Sequence, residues 1–485
     1  MPARADQPTT VETCNGAGGA ARAVGEAAYR RGLALHATGN PGAAVPHYLR
    51  ALAAGFVTPE CLNNAGCALR DTGRPENAVD LLQECLRRAP RHAGAHSNLG
   101  NAQKDLGRLD EAERSCRAAL AIAPDRPGLH FNLGAVLQAL ERDREAAVAY
   151  RAELALDPDN ARAHYNLAEA CLRLGRLDEG FCEMEWRFRS GRVKDPLAQR
   201  CPRWSGEPLA GRTVLLDCEQ GLGDALHFVR YAPLIAQRGG RVVIRVYPAL
   251  ERLMRRVAGI AAVVPTTAAL PAADLYLPML SAPHVLGTTL DTVPAEMPYL
   301  TADPDDVRAW RERLAPHDGL RVGLVWAGAP RQNDPDAQRI DKRRSIGLAA
   351  FATLAGIPGV TLVSLQKGPP AAQLESPPPG LVLIDPMGDV GDFADTAALI
   401  ENLDLVVSVD TSVAHLAGGL GKPVWILSRF DGCWRWLIDR DDSPWYPTAR
   451  LFRQQRSEDW SGAVGRLAAA LRVWAQANRD VRRPA

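Results

Sequence analysis

No stretch of this chain approaches the roughly 18 consecutive apolar residues that carry a helix across a bilayer. The nearest candidates, such as 403–409, have the length of a buried strand. The first 26 residues lack the apolar centre of a secretion signal, so neither a leader nor a membrane span is expected. No C-x-x-C pair occurs among the ten cysteines (Cys14, Cys61, Cys67, Cys85, Cys116, Cys171, Cys182, Cys201, Cys218 and Cys433). That scatter fits neither zinc ligation nor a disulfide framework. Several of these residues fall at apolar helix positions, where a free thiol acts as a small hydrophobe, so a reducing cytoplasm is expected. No G-x-x-x-x-G-K-S/T phosphate loop is present. Neither sign of charge prevails: 57 Lys and Arg face 56 Asp and Glu, which excludes coating nucleic acid or anionic membrane as the main activity. At 485 residues the chain exceeds a single core, and about two to four domains are expected.

What the first part does have is a period. Gly32, Gly66, Gly100 and Gly134 stand 34 residues apart. Gly39, Gly73, Gly107 and Gly175 keep the same spacing, with Glu141 in the intervening place, as do Ala44, Ala78, Ala112 and Ala146, and Pro90, Pro124 and Pro158. Small residues at fixed offsets let two helices of a hairpin approach. The mid-repeat Gly ends the first helix left-handed, and Pro stops the second. A single hairpin cannot bury its apolar face, so neighbours must stack. The pattern resembles the tetratricopeptide repeat (TPR) family over 25–190, about five repeats, and implies an α-solenoid; residues 1–24 read as a disordered tail. Asn64, Asn98, Asn132 and Asn166 recur at the same period. An amide both donates and accepts, so this ladder could hold an extended peptide backbone, and it resembles the ladder of TPR-containing protein O-GlcNAc transferases. The alternative is that each Asn bonds locally.

From Gly211 the pattern alternates strand and helix. Strands are expected at 213–217, 241–246 and 261–264, then 321–326, 360–365, 381–384, 405–409 and 423–427, with helices over 224–237, 310–314 and 461–478. Two such runs, 200–306 and 318–460, imply two Rossmann-like doubly wound domains whose ligands lie at the carboxyl ends of strands. The C-terminal helix 461–478 is expected to pack across both.

Three segments at strand ends carry the chemistry. The first contains Gly221, Gly223, Asp224, Leu226 and His227. It is not a dinucleotide fingerprint, because Leu226 occupies the place of the third Gly. Glycines there admit a substrate to the backbone, and Asp224 either takes a proton from an attacking hydroxyl or caps the helix it opens. The second, with Asp410, Thr411, Ser412, His415 and Leu416, follows an apolar strand and opens a helix whose free N–H groups suit a phosphate; a plain Asp-Thr-Ser cap is the alternative. The third is cationic: Lys342-Arg343-Arg344 is expected to open a helix, and Gln366-Lys367 follows a strand. Cations there would offset the charge of a leaving phosphate, unless the run is merely solvated. Asp439-Arg440-Asp441 follows no strand, and the aromatic stretch around it, 434–447, reads as packing at a cleft edge.

These segments resemble the heptosyltransferase family and, in layout, other GT-B glycosyltransferases. The resemblance implies a metal-independent, inverting transfer from a nucleotide-sugar co-substrate, with no further cofactor. By the resemblance Asp224 is the base with His227 beside it. Gly221, Gly223, Arg344, Gln366, Lys367, Asp410, Thr411, Ser412 and His415 bind the donor, and Arg344 best matches by offset within its cationic run. A protein acceptor would lie on the repeats, as in bacterial TPR-fused transferases. ADP-heptose, UDP-N-acetylhexosamine and CMP-nonulosonate all remain open as donors. The rivals are a non-catalytic TPR scaffold with a degenerate GT-B domain and an enzyme acting on saccharide or lipid.

Overall fold

The computed structural model describes residues 15–191, 193–195, 197–329 and 335–482. The chain divides into two compact units, 1–167 and 168–485. The division falls inside a helix rather than near 190–200, where the sequence pattern changes.

The first unit is built of helices α1 (Asn15–Ala37), α2 (Pro41–Ala53), α3 (Pro59–Asp71), α4 (Pro75–Arg88), α5 (Ala93–Asp105), α6 (Leu109–Ile122), α7 (Leu129–Ala139) and α8 (Asp143–Leu156). α9 (Ala161–Arg173) crosses the division, and α10 (Leu177–Met184) belongs to the second unit. The expected tail over 1–24 is corrected in part. Residues 1–14 lie outside the described residues, but α1 already runs from Asn15, where an alanine-rich segment favours helix.

Each hairpin repeats one solution. A Cβ on Gly32 would lie 2.8 Å from Tyr48, on Gly66 2.7 Å from Leu82, on Gly100 2.6 Å from Cys116 and on Gly134 2.6 Å from Tyr150. Each glycine therefore faces the residue sixteen positions on, and its missing side chain sets the interhelix distance. First helices end left-handed at Gly39, Gly73, Gly107, Glu141 and Gly175. The following N–H reaches back five residues, as in Arg74 to Leu69 O at 3.0 Å and Arg142 to Leu137 O at 2.9 Å, the bond of a Schellman cap. Asn40 and Thr58 cap the helices they precede, and Pro41, Pro59 and Pro75 occupy first-turn positions that need no N–H.

The second unit holds two parallel sheets. One has the order β3-β2-β1-β4, from β1 (Thr213–Asp217), β2 (Arg241–Val246), β3 (Ile260–Pro265) and β4 (Leu275–Pro278). The other has the order β10-β9-β8-β5-β6-β7, from β5 (Leu320–Val325), β6 (Val360–Ser364), β7 (Leu383–Ile384), β8 (Leu405–Val409), β9 (Val424–Ser428) and β10 (Ala449–Arg453). β8 and β9 are buried along their whole length, which explains their unbroken apolar sequence. Read from β5, the second sheet has the doubly wound order 3-2-1-4-5-6, with its switch point between β5 and β8.

Two strands escape the sequence reading: β4 is short, and β10 carries arginines along its length. The helix expected over 224–237 breaks into Leu222–Phe228, a tight turn at Val229–Tyr231 and Ala232–Ala236. The last helix, Ser461–Arg482, packs on the second sheet. Its buried residues, Ala463 to Ala475, join the core of the second sheet with Val322, Leu324 and Phe351.

Candidate active site

Helices Leu222–Phe228 and Ser412–Gly419 start at the carboxyl ends of β1 and β8, one from each sheet. They start against each other. A Cβ on Gly223 would stand 3.0 Å from His415 Cδ2 and 3.5 Å from Ser412 Cα, so a side chain there would press on the His415 ring.

Asp224 uses both carboxylate oxygens. Oδ2 accepts from the Gly221 N–H at 2.9 Å, and Oδ1 pairs with the Arg435 guanidinium from the loop after β9. The first bond is half of a capping box; Gly221 has no side chain to return the other half. Asp224 thus caps the helix as one sequence reading expects, and it also faces a cation 211 residues away. Arg435 is buried, and its Nε has no hydrogen-bond partner among the described residues.

The second helix start differs from a plain cap. Thr411 is at the N-cap position, yet its hydroxyl turns to Ser408 Oγ at 3.0 Å and caps nothing. The Ala414 N–H bonds to Thr411 O at 3.1 Å, and the two N–H groups before it, on Ser412 and Val413, have no partner among the described residues, with the positive end of the helix dipole behind them. Arg344 comes close: Nη1 donates to the Asp410 carbonyl at 3.1 Å, and Nε donates to Asp341 at 3.0 Å. Of the three basic residues Arg344 alone turns to this segment; Arg343 pairs with Asp431, and Lys342 is exposed. The run closes the helix Pro335–Arg344 rather than opening one, because basic residues favour the negative end of the dipole. A Cβ on Gly328, after β5, would meet Asp341 Oδ1 at 2.1 Å and Arg344 Nη2 at 2.6 Å. That glycine makes room for the Asp341–Arg344 pair, and the sequence reading passes over it.

One expected donor contact is corrected. Gln366 has no free group: Oε1 accepts from Trp326 and Ala327 N–H, and Nε2 donates to Ala327 O and Lys367 O. All four of its hydrogen-bonding capacities are spent joining the ends of β5 and β6. Lys367 is exposed and donates to the Val390 carbonyl, a bond that takes one of its three N–H donors.

His227 is sealed from solvent, so it cannot meet a substrate directly. Its Nδ1 lies 2.9 Å from Tyr446 Oη, and His415 Nδ1 lies 2.9 Å from the same oxygen. Tyr299 Oη lies 3.5 Å from it as well, so the single hydroxyl proton goes to one ring or to Tyr299 while the oxygen's lone pairs accept from the others. Burial, with Arg230, Arg435 and His415 nearby, holds His227 well below the usual histidine range. Burial, then Arg435, Arg230 and Arg344, does the same to His415. Trp436 stacks on His415 at 5.3 Å and 13°, and Trp445 lies 4.6 Å from His227. The aromatic stretch is therefore the middle of the seam, not its edge. Arg230, also buried, binds the carbonyls of His227 and Trp445 and lies over Tyr446. Nothing local in the sequence marks Arg230, Arg435 or Tyr446, because their partners are remote.

In the first unit each ladder asparagine donates sideways. Asn64 reaches Tyr29 Oη (3.0 Å), Asn98 reaches Asn63 Oδ1 (2.9 Å) and Asn132 reaches Ser97 Oγ (2.8 Å), each 35 residues back on the preceding first helix. Asn166 instead reaches Tyr150 Oη at 3.2 Å. These bonds fasten repeat to repeat and use one of the two amide protons. His96 and His130 add a second periodic bond, to the carbonyls of Pro90 and Pro124.

The family profile of the tetratricopeptide repeat matches residues 63–127 and 131–183. The N-terminal region carries tetratricopeptide repeats. They are of a protein-interaction class, and no helix among the described residues is long and apolar enough to cross a membrane. Protein FlbA of Caulobacter vibrioides is 29% identical over 346 residues, 64% of this chain and 54% of FlbA. The chain thus spans about half the length of that curated relative. Similar solved structures include TTC0263, a thermophilic TPR protein of Thermus thermophilus (26% identity, 35% of this chain and 93% of that one, TM-score 0.32). Another is MamA from Desulfovibrio magneticus RS-1 (20% identity, 35% and 93%, TM-score 0.29). Both cover about a third of the chain.

Proposed function

We propose that the second unit is a GT-B-type glycosyltransferase and that the repeats present it with a protein acceptor in a reducing, cytoplasmic compartment. One observation carries this reading: an uncapped helix start beside Arg344 and Arg435 meets, from the opposite sheet, a helix start that bears a carboxylate. The first arrangement suits the phosphates of a nucleotide sugar, held by the Ser412 region N–H groups, Arg344 and Arg435. The second supplies Asp224 as the base that removes the acceptor hydroxyl proton while that oxygen attacks the anomeric carbon and the nucleotide leaves. Guanidinium groups, rather than a metal, offset charge on the departing phosphate. In this reading His227 is a positioning residue that holds Tyr446 and, through it, His415.

The double engagement of Asp224 favours one rival, a scaffold in which that carboxylate is purely structural. Two measurements separate them. A nucleotide sugar present at 100 times its dissociation constant should raise stability by about 2.7 kcal/mol. Asp224→Asn keeps size and capping but cannot accept a proton, so turnover should fall at least about 10²-fold with donor affinity retained. If no nucleotide sugar shifts unfolding, or if Asp224→Asn retains full turnover, the assignment fails.

A further inference from the structure

Away from the seam, three side chains of different chemistry meet in the first unit. His36 lies near the end of α1, and Cys67 and Asp71 lie one turn apart on α3. His36 Nε2 is 3.7 Å from Asp71 Oδ2, and Cys67 Sγ is 3.7 Å from the same oxygen. All three candidate ligand atoms lie within 4.8 Å of one another. Nitrogen and oxygen held at about 2.0 Å and sulfur at about 2.3 Å around a tetrahedral ion stand roughly 3.3–3.7 Å apart. The two measured edges are of that size.

The neighbours orient the set. His36 Nδ1 lies 3.3 Å from the hydroxyl of the buried Tyr48. With Nδ1–H donating there, Nε2 presents its lone pair to Cys67 and Asp71. Arg70 donates to Asp71 Oδ1 at 2.6 Å, which leaves Oδ2 as the oxygen turned to the cluster. A histidine whose second nitrogen is bonded, and a carboxylate whose second oxygen is bonded, are what hold metal ligands in place. One period on, Asp71 recurs as Asp105, which pairs with Arg70 at 3.8 Å, whereas the places of His36 and Cys67 are taken by Arg70 and Asn101; the carboxylate is periodic, and the imidazole and thiol beside it are particular to this hairpin. All three are partly exposed, so an ion has access.

We propose that His36, Cys67 and Asp71 form a three-ligand site for a zinc-like divalent cation that fastens α1 to α3, with the fourth position open to water. A mixed N, S, O set with an open position suits zinc. Binding releases the thiol proton, so affinity falls as pH is lowered. The sequence shows no zinc spacing because the site is assembled from two repeats.

The test uses the full chain, stripped by chelation and then titrated with zinc by calorimetry and with cobalt by absorption. Wild type should bind one cobalt with a thiolate charge-transfer band, and Cys67→Ser should abolish that band. Cys67→Ser and His36→Ala should each weaken zinc at least tenfold. Tyr48→Phe leaves every ligand in place and should weaken it about 10–100-fold. Cys182→Ser, at an exposed thiol elsewhere, should change nothing. Circular dichroism of the metal-free variants confirms that they fold. No cobalt band in wild type, or a band that survives Cys67→Ser, overturns the proposal.

Discussion

The two histidines on Tyr446 make stability depend on pH. Both are buried neutral, with Arg230, Arg435 and Arg344 as the cations around them and Asp224 across the seam. Their folded pKa values are depressed, so below about 6.5 the unfolded chain binds protons that the folded chain refuses. Stability is then full above the unfolded pKa and is lost as pH falls below it. With about 6.5 for each unfolded histidine and folded rings that stay neutral throughout, each contributes roughly 1.9 kcal/mol of loss between pH 7 and 5. The pair contributes roughly 4 kcal/mol. All ten tryptophans lie at or after Trp186, so tryptophan fluorescence in a urea titration reports the second unit alone. Asp217 and Glu219, which burial raises, act in the opposite sense. The decisive comparison is therefore with His415→Gln, in which their effect cancels. That variant should lose only about 2 kcal/mol over the same range. A His415→Gln profile identical to the wild-type one from pH 7 to 5 would refute the argument.

In the repeats, Gly66→Ala gains about 1 kcal/mol of helix propensity but places a methyl 2.7 Å from Leu82 Cγ. Overpacking of about 1–3 kcal/mol should prevail, giving net destabilisation of about 1 kcal/mol by circular dichroism; a stabilised variant would show that Gly66 does not set the interhelix distance. Asn132→Ala removes the bond to Ser97 and should cost about 1 kcal/mol. Unchanged stability in that variant, with loss of acceptor modification, would instead return the ladder to peptide binding.

Much of this chain is legible locally. The 34-residue period, the left-handed helix ends at Gly39, Gly73 and Gly107, the strands Thr213–Asp217 and Leu405–Val409, and the placement of Asp224 and Thr411 at helix starts all follow from spacing, caps and apolar runs within a few residues. Such features depend on interactions that span a turn or two, and these the sequence carries on its face. Partners do not. The Thr411 hydroxyl turns to Ser408 instead of capping, and Gln366 spends its whole amide on the ends of β5 and β6. Arg435 reaches Asp224, and Tyr446 joins His227 to His415. His36 meets Cys67 and Asp71 only because successive hairpins stack α1 beside α3. Side-chain hydrogen bonds and ion pairs act over about 3 Å, and which groups come that close after roughly 30 or 200 intervening residues is decided by packing, not by local periodicity.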